Sequence, residues 1–200
     1  MKLLPILVAA TVLPLALFSA APTSAASNVA PDAAAYTVDG GHSSVVFRIQ
    51  HFVAPFWGRF NKVSGTINFD SKAPEKSTVE IAIDTASVDT NDAERDKHLT
   101  SQSFFSAKEF PTITFKSNKV VKSGDKLAVS GDMTMHGTTK PVTAEVTIVG
   151  EGDTMPQMGY RAGFEATFSI KRSEFGIKEY VPNISDDVKI IVALECAKTK

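Results

Sequence analysis

From residue 45 onward the chain alternates apolar and polar positions with a period of two, the signature of strands that bury one face. Val45, Phe47, Ile49 and His51 share one parity, against Val46, Arg48 and Gln50 on the other. The pattern returns in Gly65, Ile67 and Phe69, in Val79, Ile81 and Ile83, and in Ile113 and Phe115. It continues in Leu127, Val129, Met133 and Met135, then in Val142, Ala144, Val146 and Ile148. Two further runs are Phe164, Ala166, Phe168, Ile170 and Val188, Ile190, Val192, Leu194, Cys196. Eight half-buried strands are predicted, after a short segment at 36–39. Turn chemistry separates them at 71–74, 123–125, 137–140 and 150–153. Short turns between alternating strands make antiparallel neighbours, and strands of roughly ten residues favour closure into a barrel. The expected fold is therefore all-β, an extended eight-stranded antiparallel barrel; a β-sandwich is the alternative. An outer-membrane barrel would turn its apolar face outward and carry aromatic girdles, and one Trp and three Tyr are too few for those.

Residues 88–117 break the alternation. Charges come at helical spacing and give way to Phe104, Phe105 and Phe110 before Pro111. This predicts a short helical insertion, with Asn91 as its cap, Glu94 answering back and Asp92 at the positive end of the dipole. Pro111 returns the chain to a strand. An amphipathic insert with paired phenylalanines is suited to covering one open end of a barrel.

Residues 1–26 read as a secretory signal: one Lys, an apolar run interrupted by Pro5 and Pro14, then small residues with Ser24 and Ala26 placed for cleavage before Ser27. Residues 27–35 read as a flexible Ala/Pro-rich linker and 36–197 as one domain. Without Lys2 the mature chain carries 20 basic and 22 acidic residues, a net charge of −2, and no basic run; nucleic acid is not an expected partner. Cys196 has no partner in the chain, so the fold rests on its core.

Catalytic and metal chemistry would have to pass through His42, His51, His98, His136 or Cys196, and none stands in a close metal-ligand spacing. Cys196 has inward parity and reads as a small buried hydrophobe. His51 has inward parity at a strand end, where it can meet a ligand head group or bond a backbone carbonyl. Asp92, Glu94, Asp96 and His98 lie on solvated helix faces. Arg95 and Arg172 each have two readings, a structural anchor or a contact for an anionic head group. Met133 and Met135 share the inward parity, suited to an irregular apolar ligand or to filling a core.

Taken together these stretches resemble the YceI-like family, periplasmic lipocalin-like proteins regarded as binders of polyisoprenoid lipids. The matching pieces are YTVD with His42-Ser43, VVFRIQH, GRF with SGTINFD, VDTNDAERDKHL, FFSAKEFPTITFKS, GDMTMHGTTKPV, and SIKRSEFG with ISDDVKI. One departure is local: Phe52-Val-Ala-Pro-Phe56-Trp57 is bulkier and more apolar than the family's usual linker there, and bears on the mouth of the pocket. The resemblance implies a lipocalin-like barrel, a helical element near one end, an elongated apolar pocket and a lipid-binding role, and it supplies no catalytic residue. The expected function is a non-enzymatic periplasmic carrier or storage protein for a long-chain isoprenoid or similar amphiphile. The residues expected to bind it are Phe47, Ile49, His51, Phe60, Ile67, Phe69, Ile81, Arg95, His98, Phe104, Phe115, Met133, Met135, Phe164, Phe168, Arg172 and Ile190. No cofactor or metal is expected beyond the lipid; transient contact with an inner-membrane protein and a homodimer are the partner expectations. The alternatives are a quinone- or metal/haem-linked redox accessory protein and a filled barrel serving as an interaction module.

Overall fold

The computed structural model describes residues 33–199, so the segment read as a signal, 1–26, lies outside the described residues. Among these residues eleven strands and one α-helix, besides three short 3-10 turns, follow in order: β1 (Ala34–Val38), β2 (Ser44–His51), β3 (Ala54–Phe60), β4 (Val63–Phe69), β5 (Thr78–Asp84), β6 (Val88–Asp89), α1 (Ala93–Leu99), β7 (Thr112–Ser123), β8 (Lys126–Met135), β9 (Thr138–Asp153), β10 (Tyr160–Lys171) and β11 (Ile184–Lys198). The sheet runs β1-β4-β5-β7-β8-β9-β10-β11, and β11 pairs back onto β1, so the ring is closed with eight strands. Every pairing is antiparallel, as the short turns require. The strands β2, β3 and β6 prolong β1, β4 and β5 beyond bends, and stay attached through β11–β2, β2–β3 and β3–β6. Register shifts between Ser117 and Lys119, at Gly163/Phe164 and between Ile184 and Val188 supply the local bending that closure needs.

The predicted parity is the observed one. Val45, Ile67, Phe69, Ile113, Leu127, Val129, Met133, Met135, Phe164, Ile170, Val188, Ile190 and Leu194 are all buried. Four expectations about boundaries are corrected. Strand β3 is not among the eight strands expected, because Pro55, Gly58 and the adjacent pair Phe56-Trp57 obscure its period; its residues nevertheless pair with β2 from Val45↔Phe60 to His51↔Ala54. Ala34 and Ala35, assigned to the linker, pair with Phe69 and Asn68. The turn expected at 137–140 is the two-residue turn His136-Gly137, both at positive φ (51° and 71°), as a tight hairpin requires. The turn expected at 150–153 lies beyond Asp153, since β9 continues through those residues to pair with β10.

The insertion is helical as expected, but its cap is Asp92 rather than Asn91. The Asp92 carboxylate accepts the Arg95 N–H at 3.0 Å, while Asn91 takes a left-handed φ of 61° in the turn before it. A carboxylate at this position both satisfies an orphan N–H and meets the positive end of the helix. The segment after Pro111 is strand β7.

Candidate functional site

The barrel is hollow. A cavity of about 390 Å³ runs along its axis, lined by inward residues of every strand in the closed ring except β1, together with β2, β3, α1 and the loops beside them. Its wall is almost entirely aliphatic and aromatic; apart from Ser77 and Thr114, the polar lining groups are His51, Arg95, His98, Arg172 and Tyr180. All five belong to the end of the barrel where the β2–β3 turn, α1 and the loop before β11 meet. The cavity therefore has an apolar shaft and a polar mouth. The filled-barrel alternative predicted no such space.

Aromatic packing closes the opposite end. The Tyr36 ring sits edge-on to Phe69 at 6.3 Å, and Phe69 edge-on to Phe164 at 5.1 Å. Tyr36 is 2% exposed, its hydroxyl donates to Glu151 Oε2 at 3.4 Å, and burial followed by the Glu151 charge pushes its pKa up to about 12. Cys196, fully buried beside this plug, is the small hydrophobe expected; burial pushes its thiol up to about 12 as well, far from the thiolate form that reacts.

At the mouth, α1 is tied down from within. The Arg95 guanidinium donates from Nε to Thr90 Oγ1 and from Nη2 to the Thr90 carbonyl, both at 2.8 Å, and lies 4.5 Å above the Phe56 ring. Thr90 in turn donates from its N–H to Asp96 Oδ1 at 2.8 Å. So Arg95 anchors the insert through Thr90 and Phe56; among the described residues no rim carboxylate on the barrel serves it, and its acidic neighbour Asp92 stands at 4.0 Å. His98 packs edge-on to Phe104 at 4.9 Å and to Tyr180 at 6.4 Å, and His51 edge-on to Phe52 at 4.7 Å. These contacts place two imidazoles and one phenol around the opening.

Arg172 is a clamp for the loop before β11. It is 5% exposed, and its guanidinium donates to the carbonyls of Ser185, Glu179 and Ile184 at 2.9, 2.8 and 2.9 Å, with Ile177 at 3.4 Å. Burial lowers its pKa, yet an arginine keeps its charge, and carbonyl dipoles supply the compensation a buried cation requires. Beside it Asp186 accepts the Ser173 N–H and hydroxyl at 2.8 and 2.7 Å. The stretches SIKRSEFG and ISDDVKI are thereby joined into one latch.

Two other histidines have structural posts. Nδ1 of His136 donates to the Phe175 carbonyl at 3.1 Å and the ring packs on Phe110 at 4.9 Å, fixing the β8–β9 turn to the latch. His42, Asp39 and Glu195 form, among the described residues, a group with metal-ligand geometry, on the outer wall at the bend between β1 and β2. Arg161 Nη1 already occupies that group, 2.7 Å from Asp39 Oδ2 and 3.3 Å from Glu195 Oε1.

The structure brings all seventeen residues named from the sequence to the lining of this one cavity. The binding residues expected from the sequence omit Phe56, Leu99, Phe105, Ile177, Tyr180 and Ile184, which complete the mouth and its walls, although Phe56 and Phe105 stand in stretches expected to shape or cover that end. Phe56 was hidden with β3, although its spacing to Gly58 and Phe60 carries the inward parity. Tyr180 sits in an irregular loop, where no periodicity points to it.

A closed antiparallel barrel with one apolar shaft and a polar opening is the architecture of the small barrels that enclose hydrophobic molecules. The chain belongs to the YceI-like family: residues 36–196 match the YceI-like domain. It is 45% identical over 180 residues to Protein YceI of Escherichia coli O157:H7, an alignment covering 88% of this chain and 92% of that protein. Among solved structures, Burkholderia cenocepacia BcnA superposes with a TM-score of 0.72 at 28% identity, over 79% of this chain and 98% of BcnA. A polyisoprenoid binding domain from Saccharophagus degradans, implicated in plant cell wall breakdown, shares the fold with a TM-score of 0.64 at 16% identity, over 83% of this chain and 99% of that one.

Proposed function

We propose that this protein is a non-enzymatic periplasmic carrier or storage protein that holds one long-chain isoprenoid, or an amphiphile of similar shape, with its tail in the barrel and its polar end among Arg95, His98 and His51. The single observation that carries this reading is the distribution of polarity along the cavity, an apolar shaft ending in a polar mouth. A tail placed there leaves water without stranding any hydrogen-bonding group. Burying about ten methylenes at ~0.8 kcal/mol each gives a gross ~8 kcal/mol, near micromolar before the cost of ordering the chain. Family membership supports the lipid class, and the S. degradans domain with this fold is described as polyisoprenoid binding. No helix among the described residues is long and apolar enough to cross a membrane, and the periplasmic assignment rests on the signal read in residues 1–26.

The test is organic extraction of protein purified without detergent from the periplasm, with mass spectrometry of the extract. One stoichiometric isoprenoid or acyl species is expected. Phe115→Asp and Phe168→Asp, each placing a charge on the shaft, should lose it, while Lys116→Asp on the outer face should keep it. Equal retention in all three, or an empty extract from folded native protein, would remove the pocket from consideration.

A further inference from the structure

Among the described residues, most of the large apolar side chains left in water are gathered around the mouth. Phe52 and Val53, the two-residue tip of the β2–β3 hairpin, are 60% and 97% exposed, and Tyr180 and Val181 in the loop before β11 are 50% and 37% exposed. Trp57, also 50% exposed, lies on the outer face of β3 behind the tip. The remaining large exposed hydrophobics, Val121, Val149 and Met155, stand apart on other strands and a distant turn.

Two features mark this rim as built. Phe52 and Tyr180 are held at φ of 47° and 59°, the left-handed region that bulky side chains rarely adopt, and such conformations persist where the surroundings enforce them. The two segments are also bonded to one another, the Phe52 N–H donating to the Asn183 carbonyl at 3.2 Å, and the loop is closed on itself by the Ile184 N–H donating to the Tyr180 carbonyl at 2.9 Å. The Arg172 clamp holds the same loop from below. Hairpin tip and loop thus make one continuous ledge, contiguous with His51, Phe56 and Tyr180 of the cavity mouth.

The chemistry of the ledge selects its occupant. Lys178 and Glu179 are adjacent and cancel, and the tip carries no charge; the charges beside the mouth stand on α1 and its cap, where Asp92, Glu94 and Asp96 are interleaved with Arg95 and Lys97, so the ledge offers a charged partner no patch of a single sign. Exposed Phe and Val flanked by Tyr and Trp is the composition that settles at a bilayer interface. A hydrocarbon tail leaving the cavity also needs an apolar phase against the opening, since crossing water would forfeit the burial that binds it. We propose that the rim docks the mouth onto a lipid bilayer, with Phe52 and Val53 entering the acyl boundary and Tyr180 and Trp57 at headgroup level; this rests on the lipid-binding reading above. The lipid then passes between bilayer and barrel without entering water.

The experiment is flotation of the purified protein with neutral phosphatidylcholine vesicles at low and high salt. Native protein should float at both, because the contact is apolar. Phe52→Ser/Val53→Ser, which removes two side chains that are 60% and 97% exposed, should float at least ~tenfold less, while Val149→Ser on the wall should match native. Native protein that stays at the bottom, or equal loss from Val149→Ser, would overturn the docking. So would light scattering in which the rim variant converts a dimer to a monomer without any vesicle association, since a second copy would then be the occupant. Lipid content is read on the same samples: lipid-loaded protein that ignores vesicles defeats the docking alone, and lipid-free protein that floats defeats the carrier reading alone.

Discussion

Arg161, 13% exposed, is held between Asp39 and Glu195 at the bend where the partner of β11 changes from β1 to β2. The bend is bonded on every side: the Asp39 N–H donates to the Glu195 carbonyl at 2.9 Å, the Gly41 N–H to Asp39 Oδ1 at 3.1 Å, and the Glu195 N–H to Ser43 Oγ at 3.1 Å. These contacts tie the YTVD stretch to His42-Ser43 across the bend. Hydrogen bonds from Arg161 and then His42 hold the Asp39 carboxyl down at about 2, below its ordinary 3.8. With the folded pKa below the unfolded one, ionised Asp39 stabilises the barrel above about pH 4, and this contribution is lost as the pH falls through about 2. Because the side chain is 26% exposed, solvent screening holds the effect to ~1 kcal/mol. Urea unfolding should therefore show Asp39→Asn about 1 kcal/mol less stable than native at neutral pH, with the gap closing between pH 4 and pH 2. A gap that is constant with pH would mean that the bend needs the side chain's shape and not its charge.

Among the elements, the strands that the sequence disclosed are those whose two faces see different media, because alternation is then imposed by burial. β3 escaped for a physical reason. Near the mouth both of its faces are partly exposed, so Phe56 and Trp57 can both be aromatic, and Pro55 is tolerated close to the hairpin tip. Gly58 shows what that strand contributes instead. A Cβ built there would stand 2.2 Å from Phe47 Cζ, so the Phe47 ring of β2 occupies the space a side chain would take. The cap of α1 was misread by one residue because Asn and Asp serve equally well at such a position in sequence, and only the backbone conformation separates them. Gly58→Val is expected to push the Phe47 ring into the hollow of the barrel, where nothing but ligand opposes it. Lipid per barrel should fall sharply while stability drops by only ~1 kcal/mol, and Phe47→Ala in the same chain should restore occupancy. Extraction and thermal unfolding of the two variants check this; a double variant as empty as the single one would show that Gly58 acts on the strand itself.

At the scale of the molecule, period and turn chemistry specify strands and their neighbours in sequence, but closure depends on β1 meeting β11, the two ends of the domain. No local pattern encodes that pairing, nor does one foretell that the interior stays hollow, since Phe, Ile and Val on an inward face serve a filled core as well as a cavity wall. The hollow has an energetic signature of its own. Residues lining an empty cavity forgo contacts that a filled core would give them, and a ligand that binds only the folded state raises stability by mass action. Ala166, on the cavity wall between Phe164 and Phe168 in β10, offers a way to separate the two effects. Ala166→Phe should fill part of the shaft, so the delipidated variant should be more stable than delipidated native protein by about 1 kcal/mol, or ~2–4 °C in Tm. The same variant should copurify with little or no lipid, and adding lipid should no longer raise its Tm. If the barrel were shaped for its own stability, a side chain that fills it would leave binding and melting unchanged or lower both. A gain in the empty state joined to a loss of ligand would mean that the hollow is kept at the expense of stability because it is occupied in use.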